Sequence, residues 1–256
     1  MFIPFDQKII PGKKRRISLL VLIIALPVFF VFSMYWLREN HYSVYEVLGY
    51  EDHLIEWLQV FFFGAGGIIS FLLALGFRKI SKFMFFVFLF LALILIFVAG
   101  EEVSWGQRLF NLEPPAAFDG ETEITFLGQN VQSEMTLHNF EKFHNIIGPI
   151  YLLIGSYACF AWLIALLFSQ ISKNKKGGQK YFPFFIPPPY LFFYFFPLII
   201  NIFPREELGL TPQDYEMAEF LLSLGIFIFL LLSLVHFKKL RGSENYIPKN
   251  LKSETP

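Results

Sequence analysis

Residues 83–100 read FMFFVFLFLALILIFVAG, and Glu101-Glu102 follow at once. No charged side chain interrupts this run, and a helix over it rises about 27 Å at ~1.5 Å per residue. That length is close to the ~30 Å hydrocarbon core of a bilayer. Apolar residues occupy every face of such a helix, so neither water nor a half-buried surface position suits it. The run therefore reads as a membrane span that ends on two carboxylates.

Five further stretches have the same character, which gives six spans: Ile17–Leu37, Leu54–Gly76, Ile80–Gly100, Ile146–Phe168, Phe184–Phe203 and Pro212–Phe237. Hydrophobic residues make up 55% of the 256, which excludes an ordinary soluble domain. The expected fold is all-α, a polytopic bundle of about six transmembrane helices over residues 1–240, followed by a disordered cytoplasmic tail over 241–256. Lys13, Lys14, Arg15 and Arg16 precede the first span as in a secretion signal. The apolar stretch behind them is too long for a signal core and lacks a small-x-small cleavage site, so an uncleaved anchor is expected.

Charge is sorted along the chain. With the N-terminus placed in the cytoplasm, the inner segments hold 17 of the 21 Lys and Arg but only Asp6, Glu244 and Glu254 of the 21 acids. Only Arg38, Arg108, Lys142 and Arg205 fall on the outer side. The positive-inside rule thus predicts cytoplasmic N- and C-termini. The chain has no Asn-x-Ser/Thr acceptor, which favours the plasma (inner) membrane of a bacterium or archaeon.

Several local signals bear on packing. Gly64, Gly66, Gly67 and Ser70 form a small-residue stripe on the second span that allows close helix approach. Pro187-Pro188-Pro189 and Pro197 predict a late-starting or bent fifth helix, whose freed carbonyls need protein or water partners. Thr211-Pro212-Gln213-Asp214 is a capping-box start with Pro at the first helical position. Trp36, Trp57, Trp105, Tyr35, Tyr42 and Tyr215 map to the outer boundary as an aromatic belt. Cys159 stands alone within a span, so it reads as a packing residue and excludes an intrachain disulfide. His236 lies by itself at the inner boundary.

The candidate site emerges from counting along the hairpin of the second and third spans. Glu56 lies 22 residues before Arg78, Glu101 lies 23 after it and Glu102 lies 24 after it. At ~1.5 Å per residue the three carboxylates share a level to within about 3–5 Å. Glu219 enters from the same side, seven residues beyond Pro212. The long outer segment 101–145 returns through a short amphipathic helix near 132–145, which puts Glu134, His138 and Glu141 on one stripe with His144 beside it.

Helix dipoles by themselves account for acids such as Asp52, Glu56, Asp214 and Glu216 in first turns. The same dipole disfavours Glu101 and Glu102 at a helix C-terminus, and Glu219 sits toward lipid depth, where carboxylates are expensive. Glu101, Glu102 and Arg108 are therefore the candidate catalytic residues, with Arg108 as counter-ion. Glu56, Glu134, His138, His144 and Glu219 are the candidate ligands for a divalent metal, Zn, Fe or Mn.

Gly100-Glu-Glu-Val-Ser-Trp-Gly-Gln-Arg108 and Asn130-x-Gln132-x-Glu134-x-x-x-His138-Asn139 together resemble a pattern of uncharacterised bacterial multi-pass membrane proteins. The resemblance covers about 40 residues and implies no particular activity. Glu101-Glu102 and Phe140-x-x-x-His144 are also similar to two parts of the glutamate-type, CAAX-protease-like intramembrane protease pattern. Arg108 falls two positions later than that pattern requires, and no His is followed four residues on by Asn or Asp.

Three readings follow. The first is a metal-assisted, hydrolase-type enzyme acting at the outer face on a lipid-linked or membrane-embedded substrate. The second is a non-catalytic assembly or sensing subunit whose anionic mouth binds a basic partner. The third is a cation or proton transporter, which would need ionisable groups in the inner halves of the spans. The bilayer is the expected surrounding, and no nucleic-acid surface or nucleotide loop is present in the sequence.

Overall fold

The computed structural model describes residues 13–49, 54–103, 110, 125–126, 129–130, 141–171, 179–200 and 209–244. Its helices are α1 (Lys13–Asn40), α2 (Tyr42–Leu48), α3 (Leu54–Phe77), α4 (Lys82–Glu102), α5 (Glu141–Ile171), α6 (Phe192–Ile200) and α7 (Pro212–Glu244). Two 3-10 turns, Gln179–Phe184 and Pro189–Leu191, lead into α6. Between α4 and α5, Thr125–Phe126 pairs antiparallel with Gln129–Asn130.

Among the described residues, six segments are long and apolar enough to cross a membrane: Ile17–Asn40, Leu54–Phe77, Lys82–Glu102, Gly148–Leu167, Tyr181–Ile200 and Pro212–Gly242. The fold is the all-α polytopic bundle that the sequence implies. Large apolar side chains such as Phe29, Phe32, Phe86, Phe90 and Leu153 point outward, as lipid-facing residues should.

Helix α3 is the hub and packs most extensively on α4 and α7. Its buried stripe runs Ile55, Gln59, Phe63, Gly66, Gly67, Ser70, Ala74 and Phe77, the three-and-four spacing of one helix face. A Cβ on Gly67 would come within 2.8 Å of the Ile96 side chain on α4, so glycine sets that approach. Ser70 completes the crossing by donating to the Phe88 carbonyl at 2.9 Å. Where α6 meets α7, Gly225 plays the same part, because a Cβ there would lie 2.8 Å from the Tyr194 Cβ.

Proline defects are repaired by tyrosines from other helices. Pro27 lies inside α1 and has no N–H for the Ile23 carbonyl one turn earlier. Tyr194 donates its hydroxyl to that carbonyl at 2.9 Å. The Pro187-Pro188-Pro189 run keeps the fifth span irregular until Phe192, and Tyr157 of α5 donates to the Phe185 carbonyl at 2.6 Å. These bonds meet the requirement that broken backbone at membrane depth find partners within the protein.

Several boundaries shift from the sequence expectation. The third span begins at Lys82 rather than Ile80, because Ser81 accepts from the Met84 N–H as N-cap. Helix α7 runs to Glu244, so the tail expected over 241–256 begins as helix. Lys238, Lys239, Leu240 and Arg241 are good helix formers, and their charge suits the C-terminal dipole. The rest of the tail lies outside the described residues.

Candidate functional site: a carboxylate cluster at one end of the bundle

Three helices carry the acids to one level and a fourth adds a phenol. Glu56 lies in the first turn of α3, and Gln59 follows one turn later on the same face. Glu101 and Glu102 close α4 and lie within the helix rather than after it. Glu216 and Glu219 occupy the first two turns of α7. Because α3 and α4 form a hairpin through the short connection after Phe77, the start of one is held beside the end of the other.

Glu102 is within electrostatic reach of Glu219, Glu216, Glu56 and Glu101, in decreasing order of effect. Gln59, fully buried at 0% exposure, donates from Nε2 to the Glu216 carbonyl at 2.9 Å and to Glu216 Oε2 at 3.3 Å. Tyr151 of α5 donates to Glu219 Oε1 at 2.5 Å. Glu101 is buried, at 8% exposure. Carboxylates this close against apolar walls require compensation by shared protons, a cation or a basic group.

The sequence-derived candidates Glu56, Glu101, Glu102 and Glu219 are therefore together. Arg108, Glu134 and His138 lie outside the described residues. So does the side chain of His144, although its backbone belongs to α5. Residues 141–145 of the expected outer amphipathic helix are the start of α5 and continue into the span; residues 132–140 lie outside the described set. Among the described residues, no three His, Cys, Asp or Glu side chains are placed to hold a metal ion.

Sequence reading missed Gln59, Glu216 and Tyr151 as site residues. Gln59 had a signal, since it is an amide in an apolar run one turn from Glu56. Glu216 was indistinguishable from an acid favoured by its helix dipole. Tyr151 is one tyrosine among many, and nothing along the chain marks it.

Beside the cluster, a latch fixes the start of α7. Asp214 accepts from the Thr211 N–H at 2.7 Å, as the capping box requires, and pairs with Arg38 at the end of α1 at 3.0 Å. Tyr45 of α2 donates to Asp214 Oδ1 at 2.7 Å. Burial, followed by the Asp214 carboxylate, raises the Tyr45 phenol above its ordinary pKa, so it stays a donor. Arg38 also donates to the carbonyl of Gly209, whose φ of 62° suits glycine. Asp214, an acid that dipole arguments alone could explain, is thus a structural residue.

The fold is that of a multi-pass α-helical membrane protein, with a cluster of carboxylates, of which Glu101 is buried and the rest are half-buried, near the ends of three helices. No protein-family model, curated protein or solved structure matches this chain.

Proposed function

We propose that this protein is a membrane-embedded enzyme of hydrolase type, working on a lipid-linked or membrane-embedded substrate at the face where the carboxylates gather. The observation that carries the reading is that Glu56, Glu101, Glu216 and Glu219, from three helices, all lie within electrostatic reach of Glu102. Carboxylates at a helix C-terminus and at membrane depth are costly, and acid–base chemistry is a use that needs them close together. In this reading Glu101 or Glu102 activates water and Arg108 neutralises the pair. Glu134, His138 and His144 join Glu56 and Glu219 around a divalent metal, Zn, Fe or Mn, which would lower the pKa of bound water.

The other end of the bundle favours a one-sided site over a transport path. Ser70, Ser223 and Ser233, the buried serines below the cluster, donate to the carbonyls of Phe88, Phe220 and Phe229. Phe77, Phe88, Phe184 and Phe237 then pack ring to ring. We place the carboxylate end outside and both termini in the cytoplasm of a plasma (inner) membrane, on the strength of the charge asymmetry.

Rescue of a deletion strain tests the proposal: wild type restores the phenotype and Glu102→Gln does not. Elemental analysis of detergent-purified wild type against His138→Ala tests the metal. Full rescue by Glu102→Gln removes the enzyme reading, and reporter fusions that put Glu101 in the cytoplasm remove the outer placement.

A further inference from the structure

Between α5 and the irregular start of the fifth span lies a groove of about 350 Å³, lined by Tyr157, Ala161, Ile164 and Ala165 of α5 and by Phe182 and Ile186. Its origin is in the prolines. Pro183, Pro188 and Pro189 keep this stretch in short 3-10 turns, so it cannot lay a continuous helical ridge against α5. The facing positions 161 and 165, one turn apart on α5, are alanines and leave the space unfilled. Both walls belong to membrane spans, Gly148–Leu167 and Tyr181–Ile200, and Tyr157 and Ile164 are exposed, so the groove faces hydrocarbon. The opposite side of the same stretch meets the basic end of the bundle. Tyr181 and Phe184 pack on Phe77, Phe185 packs on Phe83, and Phe184 also packs on His236. Arg78 and Lys79 directly follow Phe77, Lys82 directly precedes Phe83, and Lys238 lies two residues beyond His236; all four cations are exposed.

We propose that this groove holds one acyl chain of an anionic phospholipid, whose phosphate lies at the level of Arg78, Lys79, Lys82 and Lys238. The only polar group among the lining side chains is the Tyr157 hydroxyl, which is spent on the Phe185 carbonyl, so a polar ligand would be buried there without partners. Hydrocarbon carries no such cost. The volume falls in the range of small-ligand sites, about 300–1,000 Å³, and the lining extends about 12 Å along α5 at ~1.5 Å per residue. Ala165 and Phe182 form the end of the groove nearer the bundle's basic end, and Tyr157 and Ile186 form the deeper one. A chain lying along it therefore leaves its headgroup at the basic boundary, where cations select negative lipids. The site is separate from the carboxylate cluster and independent of its chemistry.

Full-length protein in phosphatidylcholine nanodiscs is irradiated with a trace of phospholipid carrying a diazirine in one acyl chain, phosphatidylglycerol in one arm and phosphatidylcholine in the other. Labelled peptides are read by mass spectrometry. The phosphatidylglycerol probe should label the groove residues severalfold more than the phosphatidylcholine probe does, and more than it labels the lipid-facing Phe86 and Phe90 of α4. Ala165→Leu, which fills the groove at the end nearer the cations, should abolish that excess. Lys82→Gln should reduce the preference for phosphatidylglycerol about fivefold, the effect of one cation near an anionic surface. Because Lys82 is exposed, that variant decides the matter if Ala165→Leu does not fold. The proposal is overturned if both probes label the groove equally, if the groove is labelled no more than Phe86 and Phe90, or if neither substitution changes the labelling. A benzophenone amino acid at Ile164 that captures a second copy of the chain instead of lipid would assign the groove to self-association and overturn it too.

Discussion

At one end of the bundle Glu56, Glu216 and Glu219 lie within electrostatic reach of Glu102, and the buried Gln59 amide holds Glu216. At the other, Phe77 stacks on Phe88 at 5.7 Å and meets Phe184 and Phe237 edge-on at 5.0 and 4.7 Å. The same helices, α3, α4 and α7, supply both ends. The aromatic end is assembled from groups that gain by being together, through dispersion and edge-to-face geometry. The acidic end is assembled from groups that repel, so the packing elsewhere must hold it. A protein that carries both has one end that packing favours and another that packing must hold together.

The comparison breaks most sharply if the ends respond alike to substitution. Glu102→Gln should lower activity by about 10²–10⁴-fold, the range for loss of a general acid or base, while leaving the unfolding midpoint in mixed micelles unchanged or raised. Phe77→Ala should do the opposite. Its side chain is fully buried at 0% exposure, so truncation should cost about 3–5 kcal/mol, read in the same unfolding assay. Carbodiimide labelling of Glu102 should persist in whatever fraction stays folded. A stability loss in Glu102→Gln as large as that of Phe77→Ala would mean that the carboxylates are structural.

The two ends were not equally legible in the sequence. Helix count and span positions follow from unbroken apolar runs, because lipid imposes a length and a polarity on every crossing. The level shared by Glu56, Glu101 and Glu102 follows from constant helical rise around a short turn. Glu219 could be added because α7 begins at an identifiable cap, Thr211 to Asp214. Rotation about the helix axes is what counting cannot give. It decides that Gln59 faces Glu216 and that Tyr151, rather than Tyr157 on the same helix, is the one aimed at Glu219. Rotation also decides that Phe77 rather than Phe71 is buried, a choice invisible where both faces are apolar.

The latch between the ends of α1, α2 and α7 sharpens the comparison from the side of the acids. Asp214 is a carboxylate at the acidic end with a purely structural set of partners, Arg38, Tyr45 and Thr211. Asp214→Asn should cost about 1–2 kcal/mol, for a weakened cap and the lost counter-charge to Arg38, and should leave the carbodiimide labelling rate of Glu219 nearly unchanged. A change in Glu219 labelling larger than the stability change would show that the latch tunes the cluster instead of anchoring α7.

The smallest effect belongs to the seam between the halves. Tyr194 is buried and spends its hydroxyl on the Ile23 carbonyl that Pro27 leaves open. Tyr194→Phe keeps the ring, and with it the contacts to Gly225, so only the hydrogen bond is lost. The expected cost is about 1 kcal/mol, with activity unaltered. Pairing it with Pro27→Ala makes the test specific. Alanine restores the N–H that Ile23 lacks, so in that background the tyrosine hydroxyl should contribute much less, and a double-mutant cycle should show coupling of at least about 0.5 kcal/mol. Additive costs would mean that the hydroxyl and the proline act independently, and α1 would then be held against α6 by ring packing alone.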